Sequence, residues 1–469
     1  MQTFADRDGL AFTASRPESV DAYDDLVRAF VGFRRDTGKR SEALLADDPE
    51  MPMAIAARGY LAKMMGNRQS GNAAAGHAAR LGRLAEAGRL NPRERLHASA
   101  LAAWVAGDMD GADAEWSRIL QEQPNDMLAL RLAHFIHFYS NSDHRLRDGI
   151  ARLLPAYGPD HRFYGFVQGM YAFGLEESGD YGRAEKHGRI AVEENPADAW
   201  SVHAVAHAME MTGRAEEGLA FTGGIEHRWS EVNNFRYHLH WHRGLYLLES
   251  GQDAEVLALY HAQFGAEPDS GFYLDMLNAS SMLWRLELHG LDVGPRWQVL
   301  ADVAAKRAED EELIFVSLHY LMALVSAGAQ ADVSRLMAHL EAWAEKETTQ
   351  GKVVADVGLA LAKGMIALRG GRPVEAFAAM NPVRYDIGPI GGSHAQRDVF
   401  RMLLIEAALK AGETGAASLL LAERVAEKPG GVWGWLRYAA ALEARGRSVD
   451  ARAALARGEA LTARSPVLA

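Results

Sequence analysis

Cysteine is absent from the 469 residues. Without it there are no disulfides, thiolate zinc sites, iron–sulfur clusters or cysteine nucleophile. A chain free of disulfides suits a reducing compartment, and a cytoplasmic protein is expected. Basic excess is also lacking: 50 Lys and Arg stand against 62 Asp and Glu, a net charge of −12. Such a chain gains no counterion-release term on a phosphate backbone, and no basic block with interleaved aromatics offsets this, so no nucleic-acid partner is expected. No stretch reaches ~18 uninterrupted apolar residues, so neither a membrane span nor a membrane partner is expected. The opening MQTFADRDGLAFTASRPESVD has early acids and no apolar core, unlike a secretory leader. Proline is scarce, at 15 residues, and falls mostly between helical stretches, where it stops helices. There is no phosphate-binding P-loop, no G-x-G-x-x-G on a strand and no G-x-S-x-G elbow, and no cofactor is expected.

What is present is helix. Apolar residues make up 48% and charged residues 24%, enough core for a few ordinary domains or one long solenoid. Tyr23, Leu26, Val27, Phe30 and Val31 predict a helix over 20–34, and 51–65 gives another. Residues 66–72 read as a loop by composition. The residues before about Ser19 read as an irregular arm, and no strand-like alternation is sustained anywhere.

From about Arg93 a period appears. Gly107, Ala112, Trp116, Ile119 and Pro124 stand at offsets 0, 5, 9, 12 and 17. The same offsets recur at Gly179, Ala184, Gly188, Ala191 and Pro196, and at Gly412, Ala417, Leu421, Arg424 and Pro429. Gly213 follows Gly179 by 34 residues, and Gly446 follows Gly412 by 34. That is the period of the tetratricopeptide repeat, a helix–turn–helix unit. The glycine ends helix A in a left-handed conformation, the small residue lets helices A and B approach, and the proline closes helix B. One such hairpin cannot bury its apolar face alone, so the units must stack. The sequence therefore predicts an all-α fold, an α-solenoid of tetratricopeptide-like helix–turn–helix repeats. It divides into an N-terminal helical region (1–92), repeats with a histidine-rich concave face (93–270), degenerate helical repeats (271–392) and C-terminal repeats (393–469). In the third stretch Gly328 could end a helix, but Val333 breaks the small-residue pattern. Trp433 and Trp435 open the last repeat and are expected to plug the solenoid's end. The tail after Arg457 is expected to fray.

The repeat register places particular side chains on the concave surface. His203, His207 and Glu210 fall on the inner face of one helix A, His238 and Trp241 on the next, and His97 on an earlier one. His203 and His207 are four residues apart, as are His238 and His242, so each pair shares a helix face. Two such pairs on neighbouring helices could bring four imidazoles to one point, adequate for zinc or another borderline metal. Lacking the glutamate of H-E-x-x-H, they are not the protease motif, and no residue is assigned to a metal. Hydrogen bonding to a groove ligand is the first reading, acid–base chemistry near neutrality the second, metal binding the third. His242 also fits a structural hydrogen bond between helices, and His227 and His240 read as surface residues. Further along, Asp275 and Arg285 could share a face of one helix, where Arg285 could clamp an anionic group or form a structural salt bridge. His319 sits in an apolar run and needs a partner. Ser393 and Gln396 form a capping box, leaving Arg397 and Asp398 as groove residues or an interhelical ion pair.

These residues also carry a resemblance. Asn195-Pro196-x-Asp198-Ala199-Trp200-Ser201-Val202-His203-x-Val205-Ala206-His207 with Glu210-Met211, His238-x2-Trp241-His242, Ser281-Met282-Leu283-x-Arg285-Leu286 and Gln396-Arg397-Asp398-Val399-Phe400, with Arg95-Leu96-His97 and His319-x-Leu321-Met322-Ala323, occur in order. In these blocks the chain resembles the tetratricopeptide repeat protein 38 family, from its N-terminal arm to beyond Asp398. The resemblance implies a soluble helical-repeat protein and points to these positions as a site; it implies no reaction. Members carry an acid or amide shortly before the histidine matching His319, where this chain has Ser317 and Leu318.

Two functions are expected from these features. One is a binding protein whose concave groove, lined by His97, His203, His207, Glu210, His238 and Trp241, takes a peptide, a protein or a small polar molecule. The alternative is an enzyme using the same His/Glu/Arg cluster for acid–base or metal-assisted chemistry of hydrolase or lyase type. A scaffold should show a long open groove. An enzyme should show a closed pocket where His203, His207, His238 and His319 converge.

Overall fold

The computed structural model describes residues 1–140 and 143–462. Among the described residues twelve helix pairs follow one another, from Pro17–Val31 with Thr37–Asp47 to Val432–Ala444 with Ser448–Thr462. This is the predicted all-α solenoid.

The repeat glycines do the work assigned to them. Gly107, Gly179, Gly213, Gly412 and Gly446 all have φ between 71° and 83° and each stands just past the end of an inner helix. The aspartates after Gly107 and Gly179 then cap the returning helix: Asp108 accepts from the Gly111 amide and Asp180 from the Arg183 amide. On each outer helix the repeat offsets mark the stripe that packs inward. Ala184, Gly188 and Ala191 are the buried residues of Tyr181–Glu194, and Ala112, Trp116 and Ile119 are buried in Met109–Glu122. The middle stretch holds three helix pairs, with Gly290, Gly328 and Gly371 in the same left-handed conformation at the ends of their inner helices. Val333, buried at 5% exposure, fills the place of the small residue.

Two of these glycines separate backbone strain from crowding. A Cβ on Gly179 would meet nothing within 4 Å, whereas one on Gly213 would lie 2.9 Å from the Gly430 Cα. Gly179→Ala should therefore cost about 1 kcal/mol from left-handed strain alone. Gly213→Ala should cost at least about twice that, because it also pushes apart two repeats more than 200 residues distant in sequence. Urea midpoints of the two variants check the order.

The inner helices are buried nearly end to end. All 13 residues of Ala199–Met211 are buried, as are most of Tyr164–Glu177, Tyr273–Leu288 and Ile314–Ser326. A helix apolar on every side belongs to an interior. The reason is that the array turns back on itself. Arg285 donates to the Ala395 carbonyl, Lys428 reaches Glu210, and Trp433 donates to the Leu288 carbonyl. The concave surface is thus closed by the far end of the chain, and the long open groove expected of a peptide scaffold is not formed. Trp433 fastens the last repeat onto helix Tyr273–Leu288 rather than merely plugging an end.

Three local expectations are corrected. Residues 2–14 form an antiparallel β-hairpin, Gln2–Ala5 with Ala11–Ala14, instead of an irregular arm. Four-residue strands are too short to show a period, and Phe12, buried at 1% exposure, anchors them. Residues 68–72 are helical: Asn67 accepts from the Ser70 amide and starts helix Arg68–Glu86 inside the supposed loop. Helix Ser448–Thr462 runs past Arg457; the rest of the expected fraying tail, 463–469, lies outside the described residues.

Candidate functional site

Helices Ala199–Met211 and Phe235–Glu249 lie side by side, and each turns its histidine pair toward the other. His203 Nε2 lies 3.0 Å from His207 Nε2 and 3.2 Å from His238 Nε2. The His242 ring stands 4.4 Å from the His207 ring and 4.8 Å from the His238 ring. One nitrogen from each of the four rings falls within 4.8 Å of all the others. None of the four side chains is more than 2% exposed.

What stands behind each ring determines its tautomer. His238 Nδ1 is 2.7 Å from the Asn278 Oδ1, and His242 Nδ1 is 3.1 Å from the Glu210 carboxylate. His207 Nδ1 faces the Glu176 carboxylate at 3.4 Å. Acceptors hydrogen-bonded to two Nδ1 atoms, and a carboxylate at ion-pair distance from the third, favour protons there, so three Nε2 atoms turn lone pairs toward the same point. His203 has no outer partner at Nδ1, and His242 Nε2 has no partner at all. A single proton on His203 Nε2 serves its neighbours at best, and leaves His242 unserved. A cation at the centre would satisfy all four. A tetrahedral ion with N ligands at 2.0–2.1 Å has ligand–ligand edges of about 3.3 Å, and the two closest contacts are already near that length.

Burial pushes the imidazoles of His203 and His242 well below their ordinary range, reinforced by the neighbouring rings. Burial likewise takes His238 down to about 3. His207 differs: burial would depress it, but Glu176 and Glu210 outweigh that and hold it above its ordinary value. Three neutral imidazoles are ready ligands. The fourth is basic enough to compete for a proton, so metal and proton exclude each other there.

Behind the imidazoles lies a buried ionic layer drawn from the C-terminal repeats. Glu210 receives Lys428 at 2.7 Å, and Asp398 receives Arg424 at 2.9 Å and Lys428 at 3.7 Å. Burial would raise the Glu210 carboxyl, but Lys428 and His207 hold it below the ordinary value. On the other side Glu177 stands near His394 and Arg397, and burial raises its carboxyl. Glu176, Glu177 and His207 form a second set of grouped donors.

The site faces a cavity of about 540 Å³ whose wall includes His203, His238, Trp200, Phe235, Arg131 and Tyr273. A hollow of about 660 Å³ lies elsewhere, between Arg68 and Lys346. Its charges pair among themselves, Lys63 with Glu312 and Lys346 with Glu311, each at 2.6 Å. No group of histidines or carboxylates suited to an ion opens onto it among the described residues.

Of the other sequence candidates, Trp241 joins the cluster, its ring stacked 5.1 Å from that of His238. Arg285 caps Trp241 at 5.4 Å and donates to the carbonyls of Ser281 and Ala395, so it is committed to backbone rather than poised over a ligand. Asp275 sits a turn before Asn278, held by Asn234 and Ser270. Arg397 donates to the Gly392 carbonyl, and Asp398 makes the interhelical ion pair described above. His97 and His319 stand apart from the four imidazoles. His97 bonds Asp126 at 3.1 Å beside Arg93 and Tyr60, and His319 bonds the Phe315 carbonyl at 2.7 Å among phenylalanines. His227 is exposed as expected, but His240 is buried at 3% exposure against Trp229. Sequence reasoning missed Glu176, Asn278, Lys428 and Arg131. An acid ending the helix before Gly179 was the one visible signal among them.

The titration of the cluster predicts acid sensitivity. His203, His238 and His242 have folded values below the ordinary 6.5, so their contribution is present above that pH and is lost as pH falls toward the folded values. At pH 5 this amounts to roughly 2 kcal/mol for His238, with His203 and His242 acting in the same direction. Asp198 and Asp275, pushed up to about 6 by burial, act oppositely: their contribution is present at low pH and is lost as pH rises through about 6. They regain only about 1 kcal/mol each between pH 7 and 5. The imidazoles win, and the melting temperature should be lower at pH 5 than at pH 7.

No protein-family model matches the chain. Among solved structures, the human IFIT1 dimer with PPP-AAAA is 13% identical, with a TM-score of 0.36 and coverage of 98% of this chain and 96% of that one. The human IFIT1 dimer with m7Gppp-AAAA gives 13%, 0.37, 98% and 96%. Naa15/Naa10 bound to HypK-THB gives 12%, 0.25, 93% and 75%. These are low-identity likenesses to helical-repeat proteins; the all-α, repeat-like fold of the chain rests on its own paired helices. The exclusion of a nucleic-acid partner is withdrawn: the two IFIT1 structures were solved with PPP-AAAA and m7Gppp-AAAA. Among the described residues no helix is long and apolar enough to cross a membrane.

Proposed function

We propose that the chain is a metal-dependent enzyme of hydrolase or lyase type, with one divalent transition ion held by His203, His207, His238 and His242. The observation that carries this reading is the convergence of four buried imidazoles with Glu176, Asn278 and Glu210 behind three of them. An outer acceptor on the distal nitrogen is the usual companion of a metal-bound histidine, because it fixes the ring and raises its basicity. An all-imidazole set suits zinc, and also copper, iron or nickel. Four equally held ligands close a structural zinc site, whereas a catalytic one keeps a position open. His203 is the ligand without an outer partner, and it lines the cavity. It is the imidazole best suited to give way to water or substrate, where the ion would act as a Lewis acid. Glu210 orients His242, and Glu176 is the carboxylate beside the most basic ring.

The resemblance to the tetratricopeptide repeat protein 38 family implies no reaction but supports these positions as a site, since its blocks contain His203, His207, Glu210, His238, Trp241 and His242. A cytoplasmic setting belongs to the same reading and is supported by the absence of cysteine. Elemental analysis of the purified chain tests it. The expected result is about one equivalent of a transition metal that a chelator removes and zinc restores. A chain that is metal-free and takes up none from buffered zinc would end it.

A further inference from the structure

The cavity beside the imidazoles has an unusual wall. No aspartate or glutamate lines it, while Arg34, Arg35, Arg58 and Arg131 do, in a chain of net charge −12. The three arginines at its mouth are each paired: Arg34 with Asp36, Arg35 with Glu231 and Arg58 with Glu42. Arg131, deeper in, is not. It is 5% exposed, and its guanidinium lies 5.0 Å from the Phe33 ring centroid and 4.7 Å from that of Trp200. Among the described residues no carboxylate is within ion-pairing distance of it and no acceptor takes its hydrogens. The buried Asp198 carboxylate acts on it from beyond ion-pairing distance, so the guanidinium has ring faces but no anion in contact with it, and burial lowers its affinity for its own proton to about 10. Two neighbours share the deficit. Trp200 Nε1 is a buried donor without an acceptor, and both ring nitrogens of His134 are buried and unpartnered. The His134 ring stands 5.6 Å from the Trp200 ring, and the Trp200 ring 5.0 Å from that of His203.

We infer that this cavity takes a small organic monoanion, a carboxylate on an apolar or aromatic body, seated on Arg131, Trp200 Nε1 and His134 with the body extending toward His203 and His238. One guanidinium and two neutral donors balance a single negative charge, and among the described residues the other arginines of the wall are already paired with carboxylates at the mouth. The remaining walls, Phe138, Phe235, Tyr273 and Leu274 among them, suit an apolar body. The inference names the substrate class for the proposed metal site and rests on that reading for its catalytic meaning, but the seat itself is made of residues that bind no metal.

Calorimetric titration of benzoate, phenylacetate and 4-phenylbutyrate, each against its neutral amide, tests the inference, with metal content measured on the same samples. In the wild type at least one acid should bind ~10-fold or more tightly than its amide. Arg131→Met should erase that preference while leaving metal content unchanged, and Trp200→Phe, which keeps a ring but loses the N–H, should weaken acid binding by several-fold. If Arg131→Met does not fold, the chelated wild type decides: the acid preference should persist there, because the seat is not the metal. Equal binding of acid and amide, absence of binding by all three acids, or a preference kept in Arg131→Met overturns the inference. A metal-free chain that still prefers the acids would sink the metal reading and leave the seat standing; a metal-loaded chain without the preference does the reverse.

Discussion

Replacing His242 with alanine is expected to weaken metal binding at the imidazole cluster more than any change behind the rings. His242 is 0% exposed, its Nδ1 is held by Glu210, and its Nε2 has no other partner. A structural four-ligand zinc site is worth ~10–16 kcal/mol, so one ligand carries roughly 3 kcal/mol, a factor of about 100 or more in affinity. Zinc should raise the melting temperature of the wild type, since it binds only the folded chain, and should raise that of His242→Ala by clearly less, the stabilisation falling by about 3 kcal/mol. Asn278→Ala is the graded control. It removes only the acceptor behind His238 and should cost ~10–100-fold in affinity without abolishing binding. Melting curves with and without zinc read both. A His242→Ala protein with wild-type metal content and a wild-type response to zinc would show that the four rings do not act together.

Lys428→Met is expected to destabilise the fold by roughly 3–5 kcal/mol, because removing one partner of a buried pair strands the other. Lys428 is 8% exposed and lies in the turn between helices Thr414–Glu427 and Val432–Ala444. It reaches 218 residues back to Glu210 and also approaches Asp398. Its loss leaves Glu210 with His242 as its remaining contact, so the imidazole cluster and the closure of the array should loosen together. The double variant Glu210→Gln with Lys428→Met should recover part of the loss, since the stranded charge is gone. Lys346→Met supplies the contrast: its pair with Glu311 is as short, at 2.6 Å, but Lys346 is 47% exposed. That change should cost under about 1 kcal/mol. Urea midpoints of the three variants check the ranking, and equal effects at Lys428 and Lys346 would contradict it.

The parts of the molecule legible in the sequence are those set by local rules. The glycine at each inner-helix end and the small or apolar stripe on each outer helix follow from one hairpin's own geometry, so a period of 34 exposes them. The spacing of His203 with His207 and of His238 with His242 follows from the turn of a helix, and the repeat register set the two pairs side by side. What the register cannot carry is the path of the whole array. A small rotation per hairpin accumulates, and only the accumulated turn brings Lys428 to Glu210, His394 to Glu177 and Trp433 to Leu288. That closure turns a presumed groove into an interior. It also separates residues that looked equivalent. His97 and His203 occupy the same repeat position, yet His97 is spent on Asp126 while His203 meets three other imidazoles. Asn278 was invisible for a different reason: it lies in a stretch off the repeat pattern, one turn beyond Asp275, which drew the eye by its charge.

The proposed chemistry requires a cation joined to the four rings. A crystal structure with diffraction recorded on either side of a transition-metal absorption edge measures this directly. The account predicts an anomalous peak about 2.0–2.2 Å from the ring nitrogens of His207, His238 and His242, with His203 or a ligand from the cavity completing the set. Rings that bond only to one another or to water, with no anomalous peak in crystals grown with zinc, would contradict it.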